Sequence, residues 1–316
     1  MLSLVTGATG FLGSRLARAL SERGDRVRAL VRPTSDRRRL AGLELEWAEG
    51  DVTDRASVQR AVRGVNRVFH CAALYEIGAR DPDRMHAVNV AGTQHVLSAA
   101  AERRIPAVHV SSVVALGPTR DGQVGDESHW AGDAPRSAYE ATKREAHLVA
   151  RSMARAGARI RIALPVTIYG PDDPSLTGEA HKWIARGAMH VAALAEVPIT
   201  LVHVDDCAEG LVRIAERGDE GEEYVLAERA VTFREWFTMA AHAAGRRPPS
   251  AWLPDSLVKG VARVSAVAPP LVREGLAMSL GVRWAFRGDK ARRELGWAPR
   301  PLEDGLRETM GWYRAR

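Results

Sequence analysis

The sequence predicts an α/β protein: a doubly wound parallel sheet followed by a smaller, mainly helical cap region. Two observations carry that expectation. Short β-rich runs alternate with helical stretches through the first two-thirds of the 316 residues, and such alternation places helices on both faces of a parallel sheet. The first run also leads through a glycine-rich turn directly into a helical stretch, as at the carboxyl edge of sheets of Rossmann type.

The elements follow in order. Leu2–Val5, Val27–Val31, Glu44–Trp47, Arg67–Cys71, Ala107–Ser111 and Arg159–Leu164 read as strands, being short and rich in β-branched and apolar residues. Leu12–Glu22, Ala56–Val62, Met85–Arg103 and Ala138–Ala156 read as helices between them. After about Pro171 the pattern changes. Pro174 and Gly178 interrupt it, Thr200–Val202 and Glu223–Leu226 read as late strands, and a mostly helical tail follows. The expected division is a dinucleotide-binding domain over 1–170 and a substrate-binding cap over 171–316, with some segments returning to the main sheet. No internal repeat is evident. The apolar, Val/Ala-rich segment from Trp252 to Leu280 reads as a helix packed on the cap in preference to a membrane-surface segment.

The totals narrow the class. A hydrophobic content of 46% beside 27% charged residues suits a soluble globular protein. Two cysteines, Cys71 and Cys207, are too few for a disulfide framework and lack metal-ligand spacing, so a reducing cytoplasmic setting and no metal are expected. No apolar run reaches the roughly 18 residues of a membrane-spanning helix, and no basic stretch of signal-peptide type precedes Leu2, so no membrane insertion is expected. The net charge of +6 and pI of about 9.7 raise nucleic acid as a partner. The arginines are scattered and not interleaved with aromatics, so an anionic small molecule fits better.

The glycine turn reads Thr6-Gly7-Ala8-Thr9-Gly10-Phe11-Leu12-Gly13. Gly7 permits the tight turn, Gly10 lets backbone approach a pyrophosphate, and Gly13 lets the helix pack close to the sheet. The helix start at Thr9, Phe11 and Leu12 offers N–H groups and partial positive charge to phosphates. At the end of the second strand, a site preferring NAD carries a carboxylate for the ribose 2′-hydroxyl. Here Arg32 stands in that place, with Ser35 as a hydroxyl donor, so NADP(H) is preferred and NAD(H) second. Arg37, Arg38 and Arg39 read equally well as a solvated helix face. Tyr139-Glu140-Ala141-Thr142-Lys143 puts a tyrosine and a lysine on one helix face. Ser111 and Ser112 close the fifth strand at the ligand edge, and Asn89 lies on the helix before it.

With these residues the chain resembles the extended short-chain dehydrogenase/reductase proteins, whose glycine motif is TGxxGxxG. The likeness covers nearly the whole chain and is nearest the dihydroflavonol-reductase-like branch, on Val31-Arg32-Pro33-Thr34-Ser35 and Val110-Ser111-Ser112-Val113-Val114-Ala115-Leu116-Gly117. The resemblance implies an Asn89–Ser112–Tyr139–Lys143 tetrad. Ser112 is preferred over Ser111 because it stands five before Gly117. It also implies that Asp51 and Val52 meet the adenine, that Ala72, Ala73 and Ser111 leave room for the cofactor, and that Lys143 holds the nicotinamide ribose. Leu164-Pro165-Val166-Thr167-Ile168-Tyr169-Gly170-Pro171 resembles the family's RPxxxYGP stretch beside the nicotinamide, so Pro165, Val166 and Ile168 join the cofactor residues; Leu164 replaces its arginine. His203-Val204-Asp205-Asp206 resembles a structural HVDD element. His70 reads as a strand residue and not a ligand. A homodimer through the helices around Met85–Arg103 and Ala138–Ala156 is implied.

The chemistry needs these residue types. A free tyrosine, with a pKa near ~10, is a poor acid or base at neutral pH, and a nearby ammonium is expected to lower it. Tyr139 then exchanges a proton with a carbonyl or alcohol oxygen, and Ser112 stabilises charge on that oxygen. Asn89 is expected to fix the Lys143 end, directly or through a water. Three functions compete, in this order: an NADP(H)-dependent reductase of a ketone or aldehyde; a nucleotide-sugar epimerase or dehydratase using NAD; a non-catalytic dinucleotide sensor. Arg32 counts against the second, as do Val113 and Val114 where a dehydratase needs an acid/base pair, and the complete tetrad counts against the third. Leu74, Tyr75, Val113, Thr167, Tyr169, His181 and Trp183 are candidates to line a pocket for a hydrophobic or aromatic substrate, half of them equally readable as core.

Overall fold

The computed structural model describes residues 1–75, 81–254, 256–258 and 280–316. Most of Trp252–Leu280 therefore lies outside the described residues. Strands β1 (Leu2–Thr6), β2 (Arg26–Val31), β3 (Leu45–Glu49), β4 (Arg67–His70), β5 (Ala107–Val110) and β6 (Ile160–Pro165) form one parallel sheet. Helices α1 (Phe11–Glu22), α2 (Arg55–Ala61), α3 (Pro82–His86), α4 (Gly92–Ala101), α5 (Val113–Leu116) and α6 (Ala138–Arg155) fall between them. Beyond these come β7 (Thr167–Tyr169), α7 (Leu176–Ala185), β8 (Val191–Ala193), β9 (Pro198–His203), α8 (Val204–Arg217), β10 (Glu223–Leu226), β11 (Arg229–Thr232), α9 (Phe233–Ala243), β12 (Ala251–Leu253), α10 (Asp289–Leu295) and α11 (Leu302–Arg314).

The main sheet runs β3-β2-β1-β4-β5-β6-β10. Its first six positions follow the Rossmann order, whose reversal beside β1 opens a crevice at the strands' carboxyl ends. Strand β10 returns from the second half of the chain to the far edge. Both faces of this sheet are covered, and Val5, Val68, Phe69, Ile162 and Val225 are fully buried within it. Burial of such side chains stabilises the fold by about 1.5–3 kcal/mol each.

The expected helix over Met85–Arg103 is broken. A turn of π type spans Ala87–Ala91 between α3 and α4. Such wide turns often occur at functional sites. Here the turn holds Asn89, whose carbonyl accepts from Thr93 Oγ1 at 2.6 Å. Directly after it, Gly92 sits so close to Val52 that a Cβ would lie 2.8 Å from Val52 Cγ2.

The short cap strands β7, β8, β11 and β12 were not expected from the sequence. Strand β9 lies between β11 and β7, and β12 pairs with β8. A second core gathers Tyr169, Ile184, Leu201, Trp236, Phe237, Leu302, Leu306, Met310 and Tyr313. The His203–Asp206 segment joins the two parts. His203 caps α8, and Asp206 accepts from Arg300 Nε at 3.0 and 3.1 Å. His203, Asp205 and Glu308 bring ligand-type atoms within 4.8 Å of one another, but Arg15 pairs with Asp205 and Arg300 with Glu308. Among the described residues no helix is long and apolar enough to cross a membrane.

Candidate active site

The site begins where β1 turns into α1. Gly7 has φ +68°, and a Cβ there would meet Ala72 backbone at 2.7 Å. A Cβ on Gly13 would stand 2.2 Å from the Gly7 carbonyl oxygen, so this glycine lets α1 close onto the turn. Gly10 differs: it is exposed, and its Cβ would meet only the Gly7 oxygen, at 3.1 Å. No side chain caps α1 and no acid lies in its first turn, so its N-terminal N–H groups at Phe11 and Leu12 suit an anion. These features fit a dinucleotide pyrophosphate.

The rim of the crevice resolves the arginines. Arg37 stacks over Trp47 with its guanidinium carbon 4.6 Å from the ring centre. Arg38 pairs with Asp36 at 2.6 Å, and Arg39 with Asp172 at 2.8 Å. Arg32 is exposed, and its guanidinium has no ion pair among the described residues. Ser35 Oγ accepts from the Arg32 backbone N–H at 3.1 Å and so fixes the turn that presents Arg32. Asp51 spends Oδ1 on Thr53, accepting from its N–H and hydroxyl at 2.9 Å each. The Val52 side chain is buried, so contact with a ligand there falls to backbone.

Around the candidate catalytic residues, Ser112 and Ser111 separate cleanly. Ser112 caps α5: its Oγ accepts from Val114 N–H at 3.2 Å and donates to the Pro165 carbonyl at 3.4 Å. It is partly exposed at the sheet edge. Ser111 is buried, with Oγ 3.1 Å from His147 Nδ1. It faces inward, away from the expected cofactor role, because the side of the strand alternates between neighbours. Tyr139 sits one residue into α6, beyond the Ser137 cap, and meets Tyr75 edge-on with ring centres 4.9 Å apart. Lys143 lies one turn on, 4% exposed, and donates from Nζ to the Val110 carbonyl at 3.0 Å.

Two electrostatic expectations change. Burial pushes the Tyr139 phenol well above its ordinary value, and Tyr75 adds to the shift. Lys143 does not bring the expected lowering, and burial also disfavours its ammonium, bringing Lys143 down to about 8. Asn89 does not meet Lys143. Its Oδ1 accepts from Leu74 N–H at 2.7 Å, and its Nδ2 donates to the Leu74 carbonyl at 3.1 Å and Thr142 Oγ1 at 3.0 Å. It thus ties the loop after β4, carrying Ala72, Ala73 and Leu74, to the residue beside Lys143.

Several expected pocket residues are core. Val113 is 3% exposed and packs in the main core. Tyr169 is buried and donates to the Leu302 carbonyl at 3.3 Å. His181 is fully buried, accepts from Trp236 Nε1 at 3.2 Å and packs among Tyr169, Trp236 and Tyr313. Trp183, two residues along α7, points outward and is 56% exposed. Leu74, Tyr75 and Thr167 retain partly exposed surface, as do the cofactor candidates Thr9 and Ile168; Pro165 and Val166 are buried at the end of β6.

Sequence reasoning missed Thr142, Thr93 and Glu140. Glu140, fully buried next to Tyr139, accepts from Arg136 Nη2 at 2.9 Å and pins the start of α6. The i, i+4 spacing of Arg136 and Glu140 was its signal. The two threonines carry none. Asp173, in the loop after β7, is 3% exposed, and burial raises its carboxyl to about 6 from 3.8. The folded state therefore holds this proton more tightly than the unfolded chain. Its penalty is absent below pH 3.8, grows to about pH 6 and stays constant above. Asp173→Asn is expected to flatten that slope, measured as urea midpoints across this pH range; a slope unchanged from the parent would contradict it.

The comparisons agree with this geometry. Residues 3–227 match the NAD dependent epimerase/dehydratase family. The chain belongs to that family, within the extended short-chain dehydrogenase/reductase superfamily. It is 32% identical to the sterol demethylase protein B of Methylococcus capsulatus, over 100% of this chain and 99% of that one. It is 31% identical to the 4-hydroxy-2-methyl-3-oxo-4-farnesyl-3,4-dihydroquinoline-1-oxide ketoreductase of Stigmatella aurantiaca, over 98% and 96%. The crystal structure of gox2253, 38% identical, superposes with a TM-score of 0.87 over 99% of this chain and 98% of that one. The protein is an oxidoreductase that uses a nicotinamide dinucleotide.

Proposed function

We propose that this chain is an NADP(H)-dependent carbonyl reductase, acting on a ketone or aldehyde of a hydrophobic or aromatic molecule. The observation that carries the cofactor preference is Arg32. It stands at the end of β2 where an NAD site needs a carboxylate, exposed and without an ion pair among the described residues, while its three arginine neighbours are engaged. A guanidinium there attracts a 2′-phosphate. Gly7, Gly10, Gly13 and the start of α1 hold the pyrophosphate.

When bound, the nicotinamide supplies the hydride. The chain supplies the rest. Ser112 donates a hydrogen bond to the carbonyl oxygen and stabilises its developing charge. Tyr139 gives that oxygen its proton. A phenol whose pKa is raised keeps its proton at neutral pH, and an alkoxide is basic enough to take it. Leu74 and Tyr75 offer an apolar wall beside Tyr139, and the two relatives named above carry sterol and farnesyl-quinoline terms in their names. The reading extends to a homodimer through α6, where Leu148 is 45% exposed.

The test is a fluorescence titration with NADPH and with NADH. NADPH is expected to bind at least about tenfold tighter, a difference of about 1.4 kcal/mol, and Arg32→Asp and Arg32→Ala are each expected to erase the preference. Equal or tighter binding of NADH by the parent protein would overturn the assignment of Arg32 and favour an NAD-dependent epimerase.

A further inference from the structure

Strands β8 and β12 pair in parallel, with Val191 beside Ala251, Ala192 beside Trp252 and Ala193 beside Leu253. Alternation sends successive pairs to opposite faces. Ala192 and Trp252 face inward onto the cap core, where Trp252 stacks on Phe237 with ring centres 6.1 Å apart. The opposite face carries Val191, Ala193, Ala251 and Leu253, and no polar side chain. Val191 is 53% exposed and Leu253 41%, and Ala251 is exposed as well. Ala193 is partly covered, against the cluster of Leu194, Val197 and Val258. Parallel strands occur almost only where both faces are covered. Here one face lies open and apolar, the mark of a surface that meets a partner.

Helix α7 extends this surface. Its spacing leaves Leu176, Glu179, Trp183 and Arg186 on the outward side. The Trp183 carbonyl accepts from Ala188 N–H at 2.9 Å as the chain turns toward β8. The His190 carbonyl then accepts from the N–H groups of Ser250 and Ala251, at 3.0 and 3.2 Å, and holds the start of β12 beside that turn.

Arginines gather next to it, where the ends of α7, α9 and α11 meet. Arg246 Nε donates to the Ala185 carbonyl at 2.9 Å, and a Cβ on Gly245 would lie 3.9 Å from Arg314 Nη1. Arg186, Arg246, Arg247 and Arg314 are exposed there, and none has an ion pair among the described residues. Other cations of the cap are paired: Lys182 with Glu179 at 2.5 Å, Arg234 with Glu196 at 3.1 Å and Arg307 with Asp304 at 2.7 Å. A helix end carries about half a negative charge, so three ends offset less than half of the charge on these four arginines.

We propose that this face docks the protein on an anionic lipid surface. Trp183 and the open face of the β8–β12 pair enter the headgroup layer, and the arginines meet lipid phosphates. Contact is peripheral, since no described helix is long and apolar enough to cross a membrane. A second copy of the chain suits the face poorly, because a two-fold contact would set the patch against itself and bring the arginines of both copies together. Nucleic acid suits it poorly too, because Val191 and Leu253 offer nothing to a phosphate backbone. The inference goes beyond the reductase reading and does not depend on it. For the hydrophobic substrates proposed above, a bilayer is also the phase in which they collect.

The full chain is sedimented with vesicles of phosphatidylcholine, alone or mixed with phosphatidylglycerol. The mixed vesicles are expected to bind at least about tenfold tighter. Arg247→Gln together with Arg314→Gln is expected to weaken that binding about tenfold or more. Arg60→Gln together with Arg63→Gln removes the same charge from exposed positions at the end of α2, and is expected to change it by less than about twofold. Bromine-labelled lipid is expected to quench tryptophan emission, and Trp183→Phe to remove most of that quenching. Urea midpoints report folding of each variant, and Arg186→Gln with Arg314→Gln stands in should the first pair unfold early. No binding to mixed vesicles overturns the proposal. So do equal losses from the cap and α2 pairs, or quenching that survives Trp183→Phe. Duplex DNA that binds more tightly than the vesicles, and loses affinity with Arg247→Gln and Arg314→Gln, would make this a nucleic-acid surface instead. A dimer that Val191→Asp splits would make it a contact between copies. Ketone reduction by a protein that ignores vesicles sinks docking alone, and docking by a protein that reduces no ketone sinks only the reductase reading.

Discussion

Tyr139→Phe is expected to lower kcat by about a thousandfold, the middle of the range for loss of a positioned acid. NADPH affinity is expected to stay within about twofold of the parent, about 0.4 kcal/mol or less. The two parts of that result follow from different atoms. In the proposed reduction the phenol hydroxyl gives up the proton, and phenylalanine lacks it. The ring holds the edge-on contact with Tyr75 at 4.9 Å, and phenylalanine keeps it. Helix α6 stays anchored by Ser137 at its start and by Glu140 on Arg136. Steady-state rates beside a binding titration separate the two. Loss of NADPH affinity in parallel with kcat would show that Tyr139 serves the fold of the site and not the proton.

The second large effect distinguishes two glycines of one turn. Gly13→Ala puts a methyl group 2.2 Å from the Gly7 carbonyl oxygen, where both neighbours are backbone and α1 must withdraw. A stability loss of about 3 kcal/mol is expected, together with loss of cofactor binding. Gly10→Ala meets the same oxygen at 3.1 Å, a contact that a few tenths of an ångström relieve. Its stability is expected to fall by less than about 1 kcal/mol, while the methyl stands on the exposed side where the proposed pyrophosphate site lies. Urea unfolding and NADPH titration of both variants check this. Equal stability losses would mean that Gly10, too, is there for packing.

Much of this was legible in the sequence because it depends on local rules. The six strands of the dinucleotide-binding half were found within one or two residues, since each is a short apolar run bounded by turn residues. The glycine turn and the Tyr139–Lys143 spacing were legible for the same reason. What failed depends on contacts distant in sequence. The wide turn at Asn89 breaks a helix whose apolar pattern continues through it. The three- and four-residue strands of the cap carry too little pattern to announce themselves. His181 and Tyr169 read from the sequence as pocket lining or core alike, and the cap core claims both. Ser111 and Ser112 were told apart by spacing, and the alternation of β5 supplies the physical reason. Lys143 was expected to acidify Tyr139, but burial of both groups decides their pKa values, and burial is not written in the i, i+4 spacing.

In the proposed reaction, hydride leaves NADPH for a carbonyl carbon while Tyr139 protonates the oxygen. The most direct measurement mixes the purified protein with NADPD, deuterated at the transferable position, and a panel of aromatic and long-chain ketones, and follows the label by mass spectrometry. One deuterium is expected on the carbinol carbon of a reduced ketone, matched by loss of NADPD, and about a thousandfold slower labelling with Tyr139→Phe. A protein that leaves every ketone untouched, yet inverts a nucleotide sugar with tightly held NAD, would contradict it.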